Sequence, residues 1–91
     1  MKSIYKYTLE DTDLQTVTMP QGAKILCVQT QRGAVCLWAE VDTDKPGEDR
    51  TIEVFSAGHE MRSDMGLSRQ YIGTYQLFDG AWIFHVYERG A

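Results

Sequence analysis

The stretch AKILCVQTQRGAVCLWAEVD, residues 23–42, decides the fold. Two runs, residues 23–31 and 34–42, are rich in apolar side chains and meet at Arg32-Gly33. Glycine supplies the positive φ that a two-residue hairpin turn demands, so the spacing predicts a hairpin closing there. In that register Gln31 faces Ala34, Thr30 faces Val35 and Val28 faces Leu37. Successive side chains of a strand point to opposite faces. Leu26, Val28, Thr30, Val35, Leu37, Ala39 and Val41 therefore share a core face. The other face carries Cys27, Gln29, Cys36, Trp38 and Glu40, with Cys27 across from Trp38. A large indole on that mixed face calls for a cover or a partner.

Outward from the hairpin the same period-2 pattern continues, and no helical period runs beyond about two turns. Residues 4–9 alternate, with Tyr5, Tyr7 and Leu9 on one face, and Asp11-Thr12-Asp13 forms a polar turn. Residues 15–19 give a second short strand, and Met19-Pro20-Gln21-Gly22 reads as a turn. Residues 42–49 form a charged loop with Pro46-Gly47 at its tip, followed by a strand over 51–56. Residues 58–67 leave room for one helical turn. A last hairpin joins 71–78 to 81–87 through Asp79-Gly80, a favoured type I′ pair, and sets His85 opposite Thr74. Tyr75, Leu77, Trp82, Phe84 and Val86 then share one face, and Ile72, Thr74, Ile83, His85 and Tyr87 the other. About seven short strands with frequent turns predict one all-β domain over residues 1–91, a small antiparallel β-sandwich or closed barrel with at most one short helical turn.

Composition narrows the function classes. The 91 residues are 43% hydrophobic, with 9 basic against 13 acidic side chains and a net charge of −4. Nucleic-acid affinity comes mainly from neutralised phosphates, and no Lys/Arg cluster exists for that role, so no nucleic acid is expected. No apolar run approaches the roughly 18 residues of a membrane span, and the first residues lack the apolar core of a signal peptide. No membrane association and a cytoplasmic location are the expectation.

Chemistry-bearing constellations are sparse. Cys27 and Cys36 read either as a disulfide or redox pair or, as a reducing compartment favours, as two small hydrophobes. With His59 and His85 distant from them, they do not make a four-ligand zinc site. Asp42-Thr43-Asp44 opens like a calcium loop, but Lys45-Pro46 breaks the pattern. His59 has Ser56, Glu60, Ser63 and Asp64 nearby, yet no nucleophile-elbow or metalloprotease motif contains them. No catalytic residue, metal or cofactor is assigned, and the chain is not expected to be an enzyme.

Ten aromatic side chains are more than a small core accommodates, because alternation sends neighbours to opposite faces. Trp38 and Tyr87 are the expected surplus, and exposed aromatics mark interfaces or pockets. His59, Arg62 and Arg69 are the polar groups expected at a small-ligand site, since arginine suits phosphate.

Several segments carry a resemblance: Ile4-Tyr5-Lys6-Tyr7, Met19-Pro20-Gln21-Gly22-Ala23-Lys24-Ile25-Leu26, Leu37-Trp38-Ala39, Gly58-His59, Tyr71-Ile72-Gly73-Thr74 and Phe84-His85-Val86-Tyr87-Glu88. Together they resemble an uncharacterised family of short tailed-phage and prophage proteins, a domain of unknown function. Gly58-His59 and Trp38 match its pattern, whereas the cysteines at 27 and 36 depart from it. The resemblance implies a small phage accessory protein working in the bacterial host cell, and carries no catalytic residues with it. The expected partner is a host protein, for instance part of a defence system, or a second copy in a homodimer built on an edge strand or the Trp38 face. The alternatives are binding of a small molecule such as a nucleotide signal near a subunit interface, and a structural role in the virion.

Overall fold

Among the described residues seven antiparallel strands follow one another: β1 (Lys2–Thr8), β2 (Leu14–Pro20), β3 (Lys24–Gln31), β4 (Ala34–Asp42), β5 (Gly47–Ser56), β6 (Arg69–Leu77) and β7 (Trp82–Arg89). The computed structural model describes residues 1–58, 60, 61, 66 and 68–90, and no helix occurs among them. The strands form a sandwich of two sheets, one ordered β1-β4-β3 and the other β2-β5-β7-β6. The single helical turn expected within 58–67 falls mostly outside the described residues.

Both hairpins close as their turn residues require. Arg32 and Gly33 have φ of 50° and 82°, and Asp79 and Gly80 have 54° and 87°, the paired positive values of type I′ turns. The β3–β4 ladder sets Gln31 against Ala34, Val28 against Leu37 and Cys27 against Trp38. The β6–β7 ladder sets Thr74 against His85 and Tyr75 against Phe84.

Two β-bulges correct the expected faces. The β3 register shifts between Ile25 and Cys27, which turns Ile25 into the core and leaves Leu26 42% exposed. A second shift between Tyr71 and Gly73 brings Ile72 against the core and pairs Tyr71 with Tyr87 on the outward face. A bulge inserts one residue and so reverses the alternation beyond it. Thr30, expected inside, is exposed near the hairpin tip. The charged loop is also shorter than expected: β5 already begins at Gly47, where Glu48 and Asp49 pair with Met19 and Thr18 of β2. The Thr18 hydroxyl donates to Asp49 Oδ1 at 2.7 Å, so the charges sit within the ladder.

Between the sheets lie Leu37, Ile52 and Val86, fully buried, with Val28, Leu9 and Val54 beside them. A neighbouring cluster holds Met19, Ala23, Ala39 and Val41. Each large side chain buried here contributes about 1.5–3 kcal/mol. One end of this core is closed by an ion pair. Arg50 reaches across from β5 to donate to the Ala23 carbonyl at 2.8 Å, and its Nε bonds the carboxylate of Glu88. That carboxylate, outweighing burial, raises the guanidinium pKa above its usual value. The opposite end is different in kind.

Candidate functional site

The residues singled out from sequence do not converge on one place. Trp38 stands half-buried on the outward face of the three-stranded sheet, between Lys6 of β1 and Cys27 of β3. Lys6 Nζ donates to Gln31 Oε1 at 2.8 Å, and Cys36 is 1% exposed. Both cysteines are free thiols.

Arg69 and Tyr87 come together on the outward face of the four-stranded sheet. Glu53 lies there too, fully buried although turned away from the core. Arg69 Nε donates to Glu53 Oε1 at 2.9 Å, and Arg89 Nε lies 3.0 Å from the same oxygen. Arg69 also stacks over Phe55, its Cζ 5.0 Å from the ring centroid. Phe55 and Tyr71 each meet Tyr87 edge to face, at 5.7 and 5.5 Å. Thr74 Oγ1 joins the Tyr71 hydroxyl, at 2.5 Å, to His85 Nδ1, at 2.8 Å. His59 and Arg62 lie outside the described residues.

A third place, which the sequence reading missed, is the end of the sandwich opposite Arg50. Here the end of the β6–β7 hairpin lines one groove with Gly33 and Ala34 of the facing hairpin. Tyr75 stacks on Phe84 at 5.2 Å with 22° between the rings, and Phe84 lies 6.4 Å from Trp82 at 6°. Alternation puts all three on the core-facing side, yet Trp82 is 56% exposed and Phe78 is 77% exposed. Phe78 also has φ of 53°, inside the left-handed region. Bulky side chains avoid that region, and a non-glycine residue held there costs of the order of 1–3 kcal/mol. Alternation gave no signal of this exposure, since it fixes only the side of the sheet that Trp82 faces.

The turn between β1 and β2 stands beside this ladder and carries Glu10, Asp11 and Asp13. It is pinned from several sides: Gln15 Nε2 donates to the Glu10 carbonyl at 2.9 Å, and the Glu10 N–H donates back to Gln15 Oε1 at 2.9 Å. Leu9 N–H bonds the Val35 carbonyl, and Val54 N–H bonds the Asp13 carbonyl. Burial foremost, then the charges of Asp11 and Asp13, raises the Tyr75 phenol above its usual value of 10.0. Between turn and ladder lies a groove of about 360 Å³.

Among the described residues no group of three or more His, Cys, Asp and Glu side chains is placed to hold a metal, and no helix is long and apolar enough to cross a membrane. Fold and geometry together define a small antiparallel β-sandwich domain with an aromatic, acid-rimmed end. The chain belongs to the family described as Domain of unknown function (DUF7352), whose match spans residues 1–91. No curated protein and no solved structure matches it.

Proposed function

We propose that the chain is a small accessory protein of a phage or prophage that acts in the bacterial cytoplasm by binding a host protein through the aromatic end of the β6–β7 hairpin. The observation that carries this reading is Phe78. An aromatic ring 77% exposed on a backbone in the left-handed region is unfavourable twice over, in solvation and in conformation. Asparagine or glycine would fit the position better and dissolve better. A residue that works against folding, next to an exposed Trp82, fits a surface kept for recognition, where aromatic anchors supply most of the binding energy.

The nucleotide-binding alternative draws less support, because the Arg69 guanidinium is already engaged by Glu53 and Phe55. The test is affinity capture from bacterial lysate with the wild type, a Phe78→Asn, Trp82→Ala variant and a Trp38→Ala, Tyr87→Ala variant. A host protein held by the wild type and the last variant but lost from the hairpin variant supports the reading. Identical captured sets from all three sink it.

A further inference from the structure

We infer that the groove between the β1–β2 turn and the β6–β7 ladder receives an arginine side chain of the partner protein; the inference rests on the protein-binding reading above. The groove is lined on its apolar side by Val35, Val54, Phe78 and the stacked rings of Tyr75 and Phe84. Its rim is acidic, with Glu10, Asp11 and Asp13 contributed by the pinned turn.

Among the described residues neither Glu10 nor Asp11 pairs with a cation, and both are exposed. The exposed carboxylates of Glu10 and Asp11 repel one another, and a cation arriving at the rim relieves that repulsion. The chemistry of lining and rim then selects the occupant. An apolar stem fits the apolar side, and a charged head belongs at the rim. A guanidinium satisfies both better than an ammonium. It is planar, weakly hydrated, stacks on aromatic faces and forks onto carboxylates, whereas an ammonium holds its water more tightly. Because the turn is fastened to both sheets and to Gln15, little ordering is needed when the cation arrives, and preorganisation of this kind favours binding.

The experiment titrates the isotope-labelled full chain with capped tripeptides, acetyl-Ala-Arg-Ala-amide and its citrulline and lysine counterparts, followed by NMR. The arginine peptide is expected to give saturable shifts at the amides of residues 9–13, Tyr75 and Phe84 and at the Trp82 indole, in the millimolar range. The neutral citrulline isostere is expected to bind several-fold more weakly, and lysine to fall between. A Glu10→Gln, Asp11→Asn variant loses about three- to tenfold in affinity for the arginine peptide. Added salt weakens the wild type more than the variant.

Equal binding of the arginine and citrulline peptides overturns the inference. So does an unaffected double variant, or shifts that map to another face. Lysine binding as tightly as arginine overturns the guanidinium assignment. Capture by the Phe78→Asn, Trp82→Ala variant reports on the protein-binding reading separately, so either one fails without the other.

Discussion

Gly73 of β6 lies against Val28 of β3 so closely that a Cβ at position 73 would come within 2.8 Å of the valine Cγ1 and 3.7 Å of its backbone nitrogen. The two residues sit on the facing edges of different sheets, and this is where the sheets meet most tightly. Val28 is 4% exposed and β-branched, so its methyl has nowhere to retreat. Gly73→Ala is therefore expected to destabilise the fold by about 1–3 kcal/mol. The loss outweighs the ~0.4–1 kcal/mol that an alanine gains by restricting the unfolded chain. Urea denaturation measures it, and a Gly73→Ala, Val28→Ala double variant should cost less than the sum of the singles.

Glu53 gives the sharpest stability prediction. Its carboxylate is fully buried between Arg69 and Arg89, whose side chains are 12% and 21% exposed. Removing one partner of a buried ion cluster leaves uncompensated charge and costs about 3–5 kcal/mol. Against the roughly 5–14 kcal/mol total for a domain of this length, Glu53→Gln should lower the melting temperature by more than ten degrees or so. A Glu53→Gln protein as stable as the wild type would remove the cluster's structural role.

Phe78→Asn should move in the other direction. Asparagine tolerates the left-handed backbone, so the variant is expected to gain about 0.5–1 kcal/mol by urea midpoint at unchanged slope. Trp82→Ala is expected to cost no more than ~1.5 kcal/mol, the stack on Phe84 being half in water. A hairpin variant that is at least nearly as stable as the wild type yet loses its partner separates recognition from folding.

Alkaline pH tests the groove's electrostatics. Burial, with Asp11 and Asp13 nearby, raises the folded-state pKa of Tyr75 above its unfolded value near 10.0. The phenol therefore prefers its protonated form in the fold. Its contribution is fully present below the unfolded pKa and is lost as pH rises from about 10 through the folded pKa. Tyr7 is raised as well, chiefly by burial, and adds to the same loss. Melting temperature should fall with pH in that window, and Tyr75→Phe should flatten the fall. An identical alkaline profile for Tyr75→Phe would contradict the shift.

The turns made the fold legible. Arg32-Gly33 and Asp79-Gly80 set two ladders in register, and from those the faces of Val28, Leu37, Tyr75 and Phe84 followed. The bulges were hidden, because one inserted residue leaves an alternating pattern almost intact. Gly73 was the one hint, since a glycine inside a strand often marks a bulge or a close approach. It marks both here. The start of β5 was masked by charge: Glu48 and Asp49 read as loop, yet each finds a partner in the ladder. The aromatic end was the least legible, because alternation tells which side of a sheet a ring faces and not whether the other sheet reaches over it. That gap is why Trp38 and Tyr87 stood out from the sequence and Trp82 and Phe78 did not.

The strand order also governs when the fold can form. Lys2 pairs with Asp42 and Thr8 with Cys36, so β1 waits until residues 36–42 have been made. At the usual ribosomal pace of about 5–20 residues per second, that leaves an edge unpaired for seconds. In the second sheet β5 lies between β2 and β7, and β7 supplies the partner for both β5 and β6. Until it arrives, β5 has one open side and the core lacks Val86. The four-stranded sheet is therefore incomplete until β7 inserts between β5 and β6.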